Sequence, residues 1–326
     1  MPARQLAAVQ KSTIVRSFGL LERVAPAVGA RWAERLWFTV PPARGRRDRQ
    51  AAPGRPFQVR AHGRAVAGEV WGERPAGGGP GAAAGGPGPG GPLDDRPGPG
   101  DPPVVYLVHG WGGWRWQLDG FVAPLVEAGF RVVAFDAPSH GESDPGPSGP
   151  GRGTVLEFAD ALAAVVAANG PAHAVVAHSL GATAAAFAIR HGLPVERAAF
   201  VAPMADPLPY TRTFAGRLGF GERVRTRLVG RIERRVGMPL SAFDVPAMAG
   251  QVPTPPLLLV HDRLDAETGW TDSAAIAASW PLARLVTTSG LGHRRILRAP
   301  AVVREVVEFV AEPVTARSAG PTRARS

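Results

Sequence analysis

The chain has 326 residues, of which 45% are hydrophobic, and its formal net charge is +10 at pH 7. This length fits one large α/β domain with an insertion or two small domains, and the apolar content is sufficient for a core. The sequence contains no cysteine, which excludes disulfide bonds, cysteine-ligated zinc and a cysteine nucleophile.

The positive charge is concentrated near the two ends of the chain. Residues 1–64 contain 13 basic and 3 acidic residues, and residues 311–326 contain 3 and 1, whereas residues 65–310 are close to neutral. Nearly all basic residues are arginine, and no aromatic residue interrupts the arginine cluster at 44–49. We therefore expect a solvated loop there and no nucleic-acid partner.

Residues 1–55 are predicted to form amphipathic helices followed by a basic loop. Apolar residues recur at helical spacing from Ile14 to Trp37, and Pro26 divides the pattern into two helices. One interpretation is that these helices associate weakly with a membrane surface or cover an active-site mouth. The simpler interpretation is that they pack on the main core. We see no membrane-spanning run and no secretory signal, so we expect a cytoplasmic protein.

Residues 56–310 show the pattern of one α/β domain. An antiparallel hairpin is expected from two alternating segments, 56–61 and 65–71. After Val104, apolar runs of strand length alternate with helical stretches, which predicts a mostly parallel sheet with helices on both faces. The sequence does not specify the oligomeric state.

Three other segments depart from this alternation. Residues 75–103 are nearly all glycine, proline and alanine, and we expect a disordered surface loop. Residues 203–253 are rich in arginine with apolar residues between, which predicts a small helical cap. Its arginines either favour an anionic substrate or form a solvated helix face. Residues 311–326 are expected to be a disordered basic tail.

The sequence Ala-His-Ser-Leu-Gly at 177–181 follows an apolar run and precedes an alanine-rich stretch. This order predicts a strand, a tight turn with Ser179 at its apex, and a helix. Taken alone, it also fits a serine that caps a buried helix.

Four further segments carry polar residues at the ends of predicted strands. A His-Gly-Trp-Gly-Gly turn follows the strand at 104–108, and an Asp-Ala-Pro-Ser-His-Gly-Glu-Ser loop follows the strand at 131–135. Acidic residues follow the apolar run at 257–260, and the sequence Gly-Leu-Gly-His ends at His293.

In this order the segments resemble the α/β-hydrolase superfamily, over about residues 56–310. The turn around Ser179 resembles the nucleophile elbow, normally Gly-x-Ser-x-Gly, from which Ala177 is a mild departure. The resemblance implies an α/β-hydrolase fold with a lid at 203–253. It also implies a serine hydrolase that acts on a small-molecule acyl substrate, with no metal or organic cofactor.

The resemblance also implies a role for individual residues. Ser179 is the nucleophile, His293 the base and Asp265 the acid of a catalytic triad. Asp262 is the reserve acid, and Asp206, after a neighbouring strand, is a weaker third candidate.

The backbone N–H groups of Trp111 and Leu180 would form the oxyanion hole. Asp136, His140 and Ser143 would shape a neighbouring loop. Trp111, Trp114 and Trp116 cluster beside the oxyanion loop, where they line an apolar pocket or belong partly to the core.

The implied reaction is hydrolysis of a carboxylic ester, with thioesters and amides as related substrates. Two other functions stay open. An acyltransferase or lyase would use the same triad with a different acceptor, and a non-catalytic ligand-binding protein would use the same scaffold without chemistry.

Overall fold

The computed structural model of the protein describes residues 3–41, 51–72 and 101–313, with side chains from residue 12 onward. The arginine cluster at 44–49, most of the predicted loop at 75–103 and most of the tail at 311–326 lie outside the described residues.

The described core is one sheet of eight strands in the order β1-β2-β4-β3-β5-β6-β7-β8. The strands are β1 Arg55–Ala61, β2 Arg64–Trp71, β3 Val104–Val108, β4 Arg131–Phe135, β5 Ala172–His178, β6 Val195–Val201, β7 Leu257–Asp262 and β8 Ala283–Thr288. β2 pairs antiparallel with β1 and β4, and all other pairs are parallel. The predicted fold class is therefore confirmed.

Two apolar layers cover the sheet. Residues of β3 alternate between them: Tyr106 packs into one cluster with α4 Val155–Asn169 and α5 Leu180–Arg190, whereas Leu107 packs into the other. The second layer contains α3 Val122–Glu127 and α11 Pro300–Ala311. Because both faces are covered, the central strands are buried throughout and read as continuous apolar runs.

A helical insertion separates β6 from β7. It contains α6 Pro207–Leu218, α7 Glu222–Val236 and the short α8 Val245–Met248. Beyond β7 lie α9 Trp270–Ser279 and the short helix α10 Gly292–Arg295.

The N-terminal helices pack on this insertion. α1 Ala3–Val24 and α2 Pro26–Trp37 meet at Pro26, as the sequence predicts, and α2 lies along α7 while α1 contacts α6 and α7. We call the pair the N-terminal hairpin. No helix within the described residues combines the length and apolar character needed to cross a membrane.

Candidate active site

Ser179 occupies a strained turn between β5 and α5. Its backbone has φ 54° and ψ −125°, a conformation that a residue with a side chain rarely adopts. The Ser179 N–H donates a 3.1 Å hydrogen bond to the carbonyl oxygen of Val201 in β6. The sheet therefore holds this strained residue in place, and its half-buried side chain faces a cavity.

Two glycines let the loop after β3 approach this turn. A Cβ atom on Gly181 would lie 2.3 Å from the carbonyl oxygen of His109. A Cβ atom on Gly110 would lie 3.0 Å from the Cβ of Ser179. The backbone that leads to Trp111 is thus packed directly against the serine turn.

Asp265 and His293 are joined by a short hydrogen bond. Nδ1 of His293 lies 2.7 Å from Oδ2 of Asp265, and both side chains are buried. Burial alone would raise the pKa of the Asp265 carboxyl, but hydrogen bonds from His261 and His293 outweigh it and hold that pKa well below its ordinary value. A carboxylate on Nδ1 leaves Nε2 of His293 available for another partner.

Ser179 and His293 line the same cavity. Within the described residues, no hydrogen bond joins the Ser179 hydroxyl to His293.

Asp262 has a different environment, although it is also fully buried. Its carboxylate accepts hydrogen bonds from the N–H groups of Leu264, Gly290 and Leu291 and from the Thr288 hydroxyl. Burial acts to raise its pKa, but these bonds lower it to about 2. Asp262 therefore orders the loop before His293, and Asp265 is the acid that contacts the imidazole.

Asp206 has a structural partner of its own. Its carboxylate accepts a hydrogen bond from the N–H of Leu208 and caps the N-terminus of α6.

Three further residues surround the Asp265–His293 pair and were not singled out from the sequence. The hydroxyl of Thr268 lies 3.2 Å from both Oδ2 of Asp265 and Nδ1 of His293. Nε2 of His261 lies 3.5 Å from the same carboxylate oxygen. His178 approaches from the other side, where its Nε2 lies 2.9 Å from the backbone carbonyl of His293. His178 directly precedes Ser179, and His261 and Thr268 lie within four residues of Asp265, so their sequence positions could have indicated them.

Two buried histidines hold the loop that carries Trp111. Burial lowers the pKa of His109 to about 4 and that of His140 to about 3, so both rings are neutral at pH 7. Nε2 of His140 accepts a hydrogen bond from the N–H of Gly112, and Nε2 of His109 accepts one from the N–H of Ala137. His140 is thus tied to the loop backbone and does not contact Ser179.

The buried carboxylate of Asp136 orders the same region. It accepts hydrogen bonds from the N–H and guanidinium of Arg115 and from the N–H of Glu142. The Ser143 hydroxyl donates to the backbone carbonyl of Asp136.

The cavity in front of Ser179 has a volume of about 320 Å³. Ser179, Leu180, Trp111 and His293 lie together along it, whereas Trp114 and Trp116 are buried elsewhere and pack against each other. The end of the N-terminal hairpin and the insertion supply most of its apolar side chains: Leu36, Trp37, Phe38, Phe214, Ile232, Val236, Leu240 and Phe243.

Glu267 and Arg217 are the Asp, Glu, Lys or Arg residues in the cavity lining. Glu267 pairs with Arg294 outside the cavity. Arg217 of α6 has no hydrogen-bond or ion-pair partner within the described residues. The cavity is therefore mainly apolar, with one unpaired guanidinium in its lining.

Comparisons with known proteins agree with this architecture. The family model for the alpha/beta hydrolase fold matches residues 103–243. No curated protein matches the sequence significantly.

Solved structures match over most of the chain at low identity. A predicted CIB-like hydrolase from Thermoplasma acidophilum has 17% identity and a TM-score of 0.52, covering 78% of this chain and 97% of its own. Est1E from Butyrivibrio proteoclasticus, solved with ferulic acid bound, has 16% identity and a TM-score of 0.52, with coverages of 78% and 96%. A bromoperoxidase from Bacillus anthracis has 16% identity and a TM-score of 0.52, with coverages of 78% and 99%.

The chain has the α/β-hydrolase fold, and residues 103–243 match the family model for that fold. At these identities the solved structures establish the fold, and the chemistry must be argued from the site.

Proposed function

We propose that this protein is a serine hydrolase that cleaves a carboxylic ester of a small-molecule acyl substrate. The observation that carries the proposal is the 2.7 Å hydrogen bond between Asp265 and His293, on the same cavity as the strained Ser179. A serine, a buried carboxylate and a histidine in this chain order are the parts of a nucleophilic triad.

In the proposed reaction, Oγ of Ser179 attacks the acyl carbonyl carbon while Nε2 of His293 takes the hydroxyl proton. Asp265 stabilises the resulting imidazolium through Nδ1. His293 then returns the proton to the leaving alcohol, and the acyl group stays on Ser179. Water, activated by the same imidazole, releases the acid. We expect the Ser179–His293 hydrogen bond to form in the substrate complex, because catalytic hydrogen bonds often tighten only there.

The backbone N–H groups of Leu180 and Trp111 are the proposed oxyanion donors. Leu180 is the first residue of α5, where an N–H has no partner within the helix. Trp111 lies in the loop after β3, and Gly110 and Gly181 allow this loop to approach Ser179. Both groups border the cavity, where donors aimed at the developing negative charge accelerate acyl transfer.

The insertion would serve as a lid, and the hairpin would form a fixed wall of the same pocket. Their apolar side chains favour an apolar acyl group and keep water away from the reacting carbonyl. Arg217 would bind a carboxylate or phosphate on the substrate if one is present.

A fluorophosphonate probe tests the proposal, because it labels only an activated serine. We expect labelling of the wild type and none of Ser179→Ala or His293→Ala. Ser279→Ala and His62→Ala are matched controls, because the Ser279 hydroxyl bonds backbone carbonyls at the end of α9 and His62 pairs with Asp160 at the surface. These controls should label like the wild type. An unlabelled, folded wild type would overturn the proposal and favour a non-catalytic binding protein.

An acyltransferase or lyase on the same triad is separated by product analysis. Unlabelled wild-type protein is incubated with a 4-nitrophenyl ester, with and without an added alcohol. Hydrolysis yields the free acid in both cases, whereas an acyltransferase converts the added alcohol to a new ester.

A further inference from the structure

The corner of the N-terminal hairpin exposes apolar side chains. Leu20, Val24 and Val28 are 60%, 69% and 54% exposed, and they are three of the six large apolar residues that are exposed in the described part of the chain. Leu20 and Val24 lie one turn apart on α1, and Val28 lies in the first turn of α2. Three such residues within nine positions form a patch, which we call the hairpin tip, and clustered exposed apolar residues mark interaction sites.

Arginines surround the hairpin tip. A groove between α2 and α7 is lined by Arg31, Arg227, Arg231 and Arg234, and Arg23 is exposed at the end of α1. Arg31 and Arg234 have no ion-pair partner within the described residues.

The acidic residues of these helices are already engaged. Glu22 accepts hydrogen bonds from α7, and Glu34 pairs with Arg231. Glu222 pairs with Arg225, and Glu233 accepts from the N–H of Leu240. The remaining Arg35 and Arg223 add to the positive charge of this face. The surface beside the hairpin tip is therefore positive.

We propose that the hairpin tip docks on a membrane surface that contains anionic lipids. Leucine and valine side chains would enter the boundary between headgroups and acyl chains, while the arginines bind lipid phosphates. A second copy of this chain fits the surface less well, because a symmetric pair brings like patches together and would place the same arginines opposite one another.

What the docking implies for the substrate rests on the proposed function. α2 begins at the hairpin tip and ends at Trp37 in the cavity wall, so Val28 and Trp37 are about 14 Å apart along the helix axis. Docking through the hairpin tip would hold the cavity within one helix length of the bilayer. The expected substrate is then an ester whose apolar acyl chain resides in the membrane.

Vesicle co-sedimentation of the full-length protein tests the docking. Vesicles of phosphatidylcholine alone are compared with vesicles containing 30% phosphatidylserine, at low salt and at 0.5 M NaCl. We expect binding to the anionic vesicles at low salt, at least tenfold weaker binding at high salt, and little binding to phosphatidylcholine.

Two variants separate the apolar and basic parts of the surface. The double variants Val24→Ser with Val28→Ser, and Arg31→Gln with Arg234→Gln, should each weaken binding about tenfold. Leu282→Ser is the control, because Leu282 is also an exposed apolar residue, 48% accessible, and lies immediately before β8; it should bind like the wild type.

Three results would overturn the docking proposal. They are no binding of the wild type to anionic vesicles at low salt, binding that both double variants retain in full, and a dimer of the wild type that the serine variant abolishes. Fluorophosphonate labelling of the same variants, which alter no cavity residue, reports on the proposed function independently of this outcome.

Discussion

The carboxylate of Glu22 accepts a 3.0 Å hydrogen bond from the backbone N–H of Val224, 202 residues further along the chain. The same carboxylate accepts hydrogen bonds from the N–H groups of Gly221 and Arg223. The first N–H groups of a helix have no internal partner, and Gly221 has no side chain to cap α7. The N-terminal hairpin therefore supplies the cap that the insertion lacks, with a negative charge that suits a helix N-terminus.

Replacement of Glu22 should loosen the insertion. Glu22→Ala leaves three N–H groups of α7 without this partner, so we expect a loss of about 1 kcal/mol in the free energy of unfolding. Thermal and urea denaturation measure the change. Glu127→Ala is the control, because Glu127 is an exposed glutamate at the end of α3. Equal stability of the two variants would contradict the proposed capping.

The two candidate acids should respond differently to substitution. Asp265→Asn removes the charge that stabilises the imidazolium of His293, so we expect kcat to fall by about 10⁴. Asp262→Asn disturbs the loop before His293 and should mainly lower stability. Ester kinetics and urea denaturation on both variants distinguish these effects. A larger loss of kcat in Asp262→Asn would exchange the two roles.

The stability of the protein should fall in acid because of Asp262. Its pKa is about 2 in the folded protein and about 3.9 in an unfolded chain. A lowered folded pKa gives stability that is fully present above the unfolded value and is lost as the pH falls from about 4 to 2. The contribution is about 2 kcal/mol.

This linkage is tested by measuring urea unfolding of the wild type and of Asp262→Asn between pH 5 and pH 2. The wild type should lose more stability than the variant over the lower half of this range. Parallel curves for the two proteins would show that Asp262 does not carry this pH dependence.

Trp37 should determine which acyl groups fit the cavity. Its ring contacts Phe214 edge to face, with centroids 5.2 Å apart, so the contact joins the hairpin to the insertion. Trp37→Ala enlarges the pocket, and we expect the ratio kcat/KM to shift toward longer or bulkier acyl chains. A panel of 4-nitrophenyl esters measures the preference. Trp270→Ala is the control, because Trp270 packs under Arg263 outside the cavity. The prediction fails if both variants keep the wild-type preference.

The sheet and the serine turn could be predicted from the sequence because their signals are local. Buried parallel strands appear as continuous apolar runs, and the strained turn at Ser179 needs small neighbours such as Gly181. The choice between Asp262 and Asp265 could not be made in this way. Asp262 ends β7 and Asp265 lies three residues later, and only the fold shows which carboxylate faces His293 and which faces the loop at 288–291.

The wall of the cavity was also harder to predict, because it depends on contacts between segments that are distant in the sequence. Residues 36–38 lie more than 140 positions before Ser179, and their apolar pattern equally fits a helix packed on the main core. The contact between α2 and α7 depends on tertiary packing and on the Glu34–Arg231 pair, which no local pattern encodes.

The N-terminal hairpin and the insertion build the pocket together, which limits how this protein could diversify. The N-terminal hairpin and the insertion are separated in sequence by six of the eight strands, yet they share a helix cap, an ion pair and an aromatic contact. A recombination event that replaced only one of them would leave α7 uncapped, Glu34 unpaired and the cavity open on one side. Residues 12–38 and 207–243 would therefore have to be exchanged together, both in evolution and when this pocket is transferred to another protein by engineering.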